Sequence, residues 1–241
     1  MLEYKVFPAG DTALVVEFGD RIDRKLSTIV LSLAQALDAA RIEGVVETVP
    51  TFRSLMIHYE PIAIPESSLI ARIGEELQSL KITKLIRRHW KLPVCYDGCD
   101  LDAVARRTLL SRQQVIDRHS GPRYHVYMLG FLPGQAYMGD VPAELALERR
   151  EVPRTKVPAG TVAIASTMSC VFPLETPCGW HIIGRCPALL WDYARATALI
   201  APGDSVGFAP VSLQEYEALV TRASECAFRL EPESECLGAS T

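Results

Sequence analysis

A stretch rich in glycine and proline, Tyr124 to Pro187, carries the side chains best able to do chemistry. It reads YHVYMLGFLPGQAYMGD, then PRTKVPAGTVAIAS, then FPLETPCGWHIIGRCP. Glycine accepts positive φ and a close backbone approach, whereas proline fixes φ at about −65°. Such spacing predicts tight loops on an all-β scaffold, where ligand contacts concentrate. The same pattern is also typical of barrel turns that bind nothing.

Two arginines in this stretch could hold an anionic group. Arg154 follows Pro153 and precedes Lys156 and a VPAG turn. A guanidinium on a rigid backbone can bind a carboxylate or a phosphate through two hydrogen bonds. Arg185 has the same potential, and Arg53 is a third candidate nearer the N-terminus. The alternative for each arginine is a surface salt bridge, which contributes about 0–1 kcal/mol.

Trp180 and Cys178 flank Gly179 in the same stretch. A tryptophan beside a glycine can form the floor of a pocket or belong to the core. A cysteine nucleophile would need a lowered thiol pKa and a base within reach. No cysteine-protease signature surrounds Cys178, so a nucleophilic role is not predicted.

The sequence lacks the common phosphate-binding and metal-binding motifs. It contains no G-x4-GK[ST], GxGxxG, HExxH or GxSxG, so any use of ATP must rely on another phosphate site. Cys95 and Cys99 form a C-x3-C pair without a second pair at ligand spacing, and we predict no metal site. His119 ends a predicted helix, where a cation or a donor is favourable by about 0.3–1 kcal/mol.

Composition excludes several classes of function. The 241 residues carry a net charge of −4, which provides no basic field for nucleic acid or an anionic membrane. The apolar runs are too short to span a membrane, and the N-terminus lacks the layout of a signal peptide. The seven cysteines are odd in number, so reduced thiols are expected. We therefore expect a soluble, cytoplasmic protein.

Periodicity predicts an α+β domain over residues 1–90. Asp23 has the position of an N-cap, and apolar residues then recur every three or four positions up to Ala40. A second amphipathic helix follows Pro65 and extends to Leu80. The predicted strands are 13–18, 45–49, 55–59 and 84–94. The order strand, helix, strand, strand, helix, strand is that of a split βαβ unit.

Residues 91–229 form a second predicted domain, a compact β-barrel or sandwich. Two short helices open it at 102–109 and 111–119, and Ser111 with Gln114 matches a capping box. Ser212 has the position of a cap for a final helix. Residues 230–241 are predicted to be a polar tail. The predicted strands of this domain are 124–129, 162–165, 170–172, 181–184, 189–192 and 205–208.

One ordered set of motifs runs along nearly the whole chain. It comprises GDTAL at 10–14, EF at 17–18, VPTFRSL at 49–55, LPVCY at 92–96, DL at 100–101, His119 followed by YxVYxLGF from 124, PG at 133–134, Tyr137, PR at 153–154, VPAG at 157–160, Pro177 with GW at 179–180, GR at 184–185 and PGD at 202–204. This set resembles the family of the 5-oxoprolinase B subunit, also called allophanate hydrolase subunit 1. The family includes an inhibitor of a sensor histidine kinase, and related domains occur in the carboxyltransferase half of urea carboxylase.

The resemblance implies an α+β fold in which the N-terminal split βαβ domain precedes a cyclophilin-like β-barrel. It also implies that the protein works with a homologue of the enzyme's C subunit to phosphorylate 5-oxoproline, which the A subunit then opens to glutamate. ATP with Mg²⁺ would be shared with the partner subunit, and biotin is not expected because no biotin-carrier sequence is fused here. Two alternatives stay open: a regulatory inhibitor of a sensor histidine kinase, or a carboxyltransferase-like subunit of an allophanate- or urea-type enzyme.

On the same resemblance, Arg154, Lys156 and Arg185 are predicted to be catalytic, because cationic side chains can stabilise a transferred phosphoryl group. The chain departs from the family at Gln135, where an aromatic residue is usual, and at Cys178, where glycine is usual. The predicted substrate-binding residues are Gly130, Phe131, Pro133, Gly134, Gln135, Tyr137, Gly160, Pro177, Cys178, Gly179 and Trp180.

Overall fold

The computed structural model describes residues 2–82, 88–224 and 230–233. The chain divides into two compact units, Met1–Ile86 and Arg87–Thr241. No helix within the described ranges is both long and apolar enough to cross a membrane. Most of the predicted polar tail, residues 234–241, lies outside the described residues.

The first unit is a four-stranded sheet with two helices. Its strands lie in the order β1-β2-β4-β3, and each neighbouring pair is antiparallel. Strands β2 and β3 are therefore parallel with β4 between them, which confirms the predicted split βαβ arrangement. The elements are β1 (Lys5–Pro8), β2 (Ala13–Glu17), α1 (Arg24–Ala40), β3 (Val45–Pro50), β4 (Ser54–Tyr59) and α2 (Glu66–Gln78).

Residues 84–94 were predicted to be the fourth strand of this sheet, and this assignment to the first sheet is wrong. The first of these residues lie outside the described part, and the remainder forms β5 (His89–Val94), which pairs in parallel with Ser205–Pro210 of the second unit. The edge position beside β2 is occupied by β1, which the sequence analysis did not predict. Strand propensity marks extended backbone, but a distant segment of the chain decides which edge it joins.

Local sequence determines where helix α1 begins and which of its faces is buried. The Asp23 side chain accepts hydrogen bonds from the backbone N–H groups of Lys25 and Leu26, at 2.7 and 3.3 Å, as the predicted N-cap requires. The apolar stripe of α1 belongs to one buried cluster with the sheet. Burial of this stripe stabilises the helix more than propensity alone would. The cluster includes Leu14, Val16, Ile29, Val30, Leu33, Leu37, Leu55 and Ile57.

The second unit is built around a seven-stranded sheet with the order β12-β9-β10-β7-β6-β15-β5. Two short ribbons, β8 with β11 and β13 with β14, lie outside this sheet. The predicted capping box at Ser111 and Gln114 is present. The remaining elements are α3 (Leu101–Thr108), α4 (Arg112–Ser120), β6 (Tyr124–Leu129), β7 (Ala136–Gly139), a 3-10 turn (Ala143–Leu145), β8 (Arg154–Val157), β9 (Thr161–Ala165), β10 (Met168–Val171), β11 (Thr176–Cys178), β12 (His181–Arg185), β13 (Trp191–Asp192), β14 (Thr197–Ala198), β15 (Ser205–Pro210) and α5 (Leu213–Ser224).

A short seam of backbone hydrogen bonds nearly closes the seven-stranded sheet into a barrel. Cys95, just after β5, and Arg185, at the end of β12, exchange two N–H···O bonds of 2.9 and 2.8 Å. The seam continues where the Gly98 N–H donates to the Ile183 carbonyl at 3.2 Å. The seam pairs β12 with the segment that follows β5, so the backbone groups of β12 are not left unpaired at the edge of the sheet. The predicted barrel is confirmed.

His119 is part of the barrel core rather than a cation at a helix end. It is fully buried, stacks on Phe208 with ring centroids 4.4 Å apart, and burial lowers its pKa to about 3. Its Nδ1 lies 2.7 Å from the Tyr96 hydroxyl, and its Nε2 lies 2.9 Å from the Ser169 hydroxyl. The Ser169 hydroxyl donates to the Ala163 carbonyl, so it is free to accept from the imidazole. Every group in this run of hydrogen bonds is paired when Nε2–H donates to Ser169 and the Tyr96 hydroxyl donates to Nδ1. The charge–dipole expectation for His119 is therefore wrong, because desolvation outweighs it.

The buried imidazole predicts a specific dependence of stability on pH. His119 cannot take up a proton in the folded state until the pH approaches 3, whereas the unfolded imidazole has its ordinary pKa of 6.5. The free energy of unfolding should therefore fall with decreasing pH between these values, by up to about 1.4 kcal/mol per pH unit from this residue. His119→Gln should remove this contribution. Urea unfolding between pH 7 and 4 measures the slope, and an equal slope in the variant would contradict the assignment.

The close backbone contact at the seam predicts that Gly98 cannot be replaced by a larger residue without loss of stability. A Cβ on Gly98 would lie 2.3 Å from the carbonyl carbon of Ile183 and 2.5 Å from the amide nitrogen of Gly184, so backbone would have to move. Gly98→Ala should lower the free energy of unfolding by about 1–3 kcal/mol or more. Gly207→Ala is the matched control, because its nearest neighbour, the His89 ring, lies at an ordinary 3.5 Å. Equal urea midpoints for the two variants would argue against a tight seam.

Candidate functional site

The candidate site is centred on Asp100, a buried carboxylate between the barrel seam and helix α3. Arg154 binds it with two parallel hydrogen bonds, Nη1 to Oδ2 at 2.9 Å and Nη2 to Oδ1 at 2.7 Å. Arg150 donates to Oδ1 at 3.0 Å, and the Ile182 N–H donates to Oδ2 at 2.8 Å. Asp100 was predicted only as part of a family motif, and its side chain does not cap α3.

The pKa of Asp100 reflects a balance between burial and its partners. Burial raises this pKa, but the hydrogen bonds from Arg154 and the Ile182 N–H, with the charges of Arg154 and Arg150, lower it further than burial raises it. The net result is a pKa below the ordinary value of 3.8. Asp100 is therefore ionised at neutral pH, and one carboxylate faces two guanidinium groups. The Asp100–Arg150–Arg154 cluster carries one net positive charge.

The short ribbon of β8 and β11 places Arg154 directly opposite Cys178. The Cys178 sulfur accepts from the Trp180 N–H at 3.3 Å, and Arg150 donates its backbone N–H to the Gly179 carbonyl at 2.8 Å. Burial raises the pKa of Cys178 despite the nearby guanidinium charges. The side chain is therefore a thiol at neutral pH and lacks the activation that a nucleophile needs.

Two aromatic residues are linked to the ribbon, since Trp180 directly follows Gly179, whose carbonyl accepts from the Arg150 N–H. The rings of Tyr137 and Trp180 meet edge to face with centroids 6.0 Å apart. Trp180 is buried, and Tyr137, on β7, is half-buried with a pKa raised by burial. The structure therefore brings together five of the predicted site residues, Tyr137, Arg154, Cys178, Gly179 and Trp180, beside a cationic group. Such an arrangement can hold a small ligand that has both an anionic and an apolar part.

The β6–β7 loop carries five further predicted residues. Its glycine Gly130 approaches Tyr137, since a Cβ there would lie 4.0 Å from the tyrosine ring. Gly134 adopts φ +77° against the Leu190 carbonyl, where a Cβ would come within 2.7 Å. Phe131 is exposed and has a positive φ of 70°, an unusual conformation for a bulky residue. The loop residues are Gly130, Phe131, Pro133, Gly134 and Gln135.

Lys156 and Arg185, both predicted to be catalytic, form ion pairs of their own. Lys156 lies two residues beyond Arg154 on β8, and its Nζ is 2.8 Å from Glu175 on the exposed side of the ribbon. Arg185 binds Asp97 through Nε at 3.0 Å, and its guanidinium lies 4.6 Å from the centroid of the Tyr216 ring.

The other candidates lie elsewhere. Gly160 is next to the Cys186 carbonyl, and Pro177 is exposed on β11. In the first unit, Arg53 forms a salt bridge of 3.0 Å with Glu17, which matches the surface-pair alternative.

Sequence reasoning missed Asp100, Arg150 and Asp97 as site residues. Asp100 and Arg154 are fifty-four positions apart and meet only because the seam brings the segment before α3 to β12. No spacing pattern encodes such a pair. Within the described part of the chain, no three His, Cys, Asp or Glu side chains are grouped in a way that could hold a metal ion.

Comparison with known proteins first defines the class. A family model for the carboxyltransferase domain, subdomain C and D, matches residues 4–201. Among solved structures, TTHA0988 superposes with a TM-score of 0.76 at 34% identity, covering 83% of this chain and 40% of that one. The Kluyveromyces lactis urea amidolyase superposes with a TM-score of 0.78 at 20% identity, covering 95% of this chain and 16% of that one, which shows the fold alone.

Curated relatives then define the family within this class. The chain is 34% identical over 232 residues to the 5-oxoprolinase B subunit of Bacillus subtilis, covering 90% of this chain and 97% of that protein. It is 36% identical over 217 residues to the 5-oxoprolinase B subunit of Escherichia coli O157:H7, covering 87% of this chain and 97% of that protein. The chain belongs to the family of 5-oxoprolinase B subunits, and the resemblance noted in the sequence is confirmed.

The buried ion pair gives a testable prediction. Asp100→Asn should lower the free energy of unfolding at pH 7 by on the order of 2–3 kcal/mol, because two partly buried guanidinium groups lose their carboxylate. The wild-type advantage should be complete above pH 3.8 and should shrink as the pH falls through the lowered pKa of Asp100.

The control is Asp102→Asn, which removes an exposed partner of Arg112 at 3.2 Å and should cost less than about 1 kcal/mol. Urea unfolding at pH 7 and at acid pH measures both variants. A wild-type advantage over Asp100→Asn that stays constant down to pH 2 would contradict the ion-pair account.

Proposed function

We propose that this chain is the B subunit of an ATP-dependent 5-oxoprolinase, inactive alone and completed by other protein chains. The observation that carries the proposal is the match to curated B subunits over 97% of their length. A protein of this kind requires other subunits, and we assign these as a homologue of the C subunit, together with the ring-opening A subunit. The likenesses to urea amidolyase, at 20–23% identity, support the fold and favour no second function.

The proposed chemistry activates a lactam. The carbonyl oxygen of 5-oxoproline attacks the γ-phosphorus of ATP, the new O–P bond forms as the bond to ADP breaks, and the phosphorylated ring becomes a much better electrophile. One water adds to the activated ring carbon and the ring C–N bond breaks, which gives γ-glutamyl phosphate; a second water then cleaves this to glutamate and inorganic phosphate on the partner proteins. Catalysis of phosphoryl transfer consists mainly of positioning and charge stabilisation. Any Mg²⁺ that accompanies ATP would be held mainly by the nucleotide phosphates, together with one or two carboxylates of the assembled subunits.

The Asp100–Arg150–Arg154 cluster supplies the charge in this proposal. Its one net positive charge lies beside Tyr137 and Trp180, which suits a ligand with an anionic carboxylate on an apolar ring. Asp100 holds the Arg154 guanidinium in one orientation before substrate binds, which lowers the cost of ordering it. Lys156 and Arg185 each pair with one carboxylate, Glu175 and Asp97, and leave no net charge for a phosphoryl group, so we rank them below Arg154.

Reconstitution with the C-type and A-type partner proteins tests the function, with 5-oxoproline-dependent ATP hydrolysis as the readout. Arg154→Lys should reduce kcat/KM by about 10–100-fold, because lysine keeps the charge but cannot reproduce the two-bond geometry. Arg112→Lys, at an exposed pair with Asp102, is the matched control and should leave the rate unchanged. Absence of turnover in every combination of the three proteins would refute the proposed function, and full activity of Arg154→Lys would refute the role of Arg154.

A further inference from the structure

Arg149 carries an accessible guanidinium that the fold does not pair. The residue is exposed, whereas the neighbouring Arg150 and Arg154 bind Asp100. Among the residues that the structure describes, none forms an ion pair with Arg149, and this includes the two glutamates close to it in the sequence. Exposed arginines are common on protein surfaces, so a role for this one depends on what surrounds it.

Hydrogen bonds fix the backbone on both sides of this arginine. On one side, the Glu148 carbonyl accepts from the His181 Nε2–H at 2.9 Å. On the other side, the Arg150 N–H donates to the Gly179 carbonyl at 2.8 Å. The arginine between these two contacts therefore lies alongside Trp180, which is the residue between Gly179 and His181. Because the fold already holds its backbone, only the side chain has to be ordered by a ligand.

Arg149 also acts on Tyr137, the more accessible member of the aromatic pair. Burial raises the pKa of Tyr137, and the positive charge of Arg149 opposes that change, so the two side chains lie within electrostatic reach of each other. Tyr137 is half-buried, and its ring meets the Trp180 ring edge to face at 6.0 Å. Arg149 and Tyr137 both reach solvent, so a ligand can contact them without any rearrangement of the fold.

The two paired arginines are less available to a ligand. The side chains of Arg150 and Arg154 are 30% and 26% exposed, and both already bind Asp100. A ligand carboxylate would have to compete with Asp100 for their hydrogen bonds. Arg149 has no such competitor among the described residues, and a guanidinium can bind a carboxylate through two parallel hydrogen bonds. Arg149 is therefore the arginine of this site best placed for direct contact with an anion.

We propose that Arg149 binds the carboxylate of the lactam substrate directly and thereby selects acidic lactams over neutral ones. The inference rests on the proposed function, since it assigns the recognition of 5-oxoproline at the same site. The apolar edge of the ring would lie against Tyr137, and the Asp100–Arg150–Arg154 cluster would add its net positive charge without giving up its internal bonds. A neutral lactam of the same shape cannot make the charged contact and binds more weakly.

The test compares 5-oxoproline with 5-oxoprolinamide, which has a neutral carboxamide in place of the carboxylate. Dissociation constants are measured calorimetrically on the assembled complex with a non-hydrolysable ATP analogue present. The wild type should prefer the acid by about 10–100-fold, the range expected for hydrogen bonds between charged groups. Arg149→Gln should lose most of this preference through weaker binding of the acid, and Arg149→Lys, which keeps the charge, should retain an intermediate preference. An unchanged preference in Arg149→Gln, or an equal loss of affinity for both lactams, overturns the inference.

Thermal unfolding separates recognition from a structural role. Because Arg149 is exposed and unpaired among the described residues, Arg149→Gln should change Tm by less than about 2 °C. Arg21→Gln makes the same change at an exposed arginine of the first unit, and it should alter neither Tm nor the ligand preference. A clearly larger loss of Tm in Arg149→Gln than in Arg21→Gln overturns the inference.

The same titrations distinguish failure of the inference from failure of the proposed function. If the wild-type complex does not bind 5-oxoproline at all, both fail together. If the wild type binds 5-oxoproline and Arg149→Gln keeps its preference while binding the ATP analogue more weakly, the arginine serves the nucleotide. That result defeats the inference and leaves the proposed function intact.

Discussion

The candidate site depends on one buried carboxylate, Asp100. A carboxylate removed from water is tolerated only when charged or dipolar groups replace its hydration. Three separate segments provide them, namely β12 through the Ile182 N–H, β8 through Arg154, and the segment before β8 through Arg150. The same contacts therefore hold the barrel seam, the start of α3 and the ribbon in one arrangement. Closure of the barrel and assembly of the site therefore depend on the same contacts of Asp100.

That arrangement changes the meaning of the arginine singled out in the sequence. An unpaired Arg154 would be a flexible surface cation. The observed guanidinium is held by two hydrogen bonds to Asp100, and it shares that carboxylate with Arg150. Because two guanidinium groups face one carboxylate, the site keeps a net positive charge after the internal pair is satisfied. This residual charge is what remains for an anionic ligand. The neighbouring Cys178 stays a thiol, so the proposed chemistry of the site is charge stabilisation rather than covalent attack.

Buried polar groups in this unit fall into two kinds. The His119 chain, from Tyr96 through the imidazole to Ser169, satisfies each of its ring nitrogens and is structural. The Gln135 amide oxygen and the Arg150 Nε differ, because each is buried without a hydrogen-bond partner among the described residues. The departure from the family pattern at Gln135 therefore lies at a buried position in the β6–β7 loop.

Local sequence determined much of this protein. The helices, their caps at Asp23 and Ser111, and the split βαβ order followed from periodicity and side-chain chemistry that act within a few residues. Ordered motifs identified the family, and the glycine- and proline-rich stretch contains Arg154, Cys178 and Trp180, which lie together at the β8–β11 ribbon. The strands β1, β7, β8, β11 and β14 escaped prediction, because segments of two to four residues are too short for two-residue alternation to be recognised.

Only the tertiary structure decided which distant segments meet. It assigned β5 to the barrel rather than to the first sheet, and β1 to the vacant edge beside β2. It joined Asp100 to Arg154 across the seam and lowered the pKa of His119 by burying it. Each of these outcomes depends on pairing or desolvation between residues far apart in the chain. Propensity and spacing act locally, so they define the elements and the candidate side chains, whereas the partners and charge states follow from long-range packing.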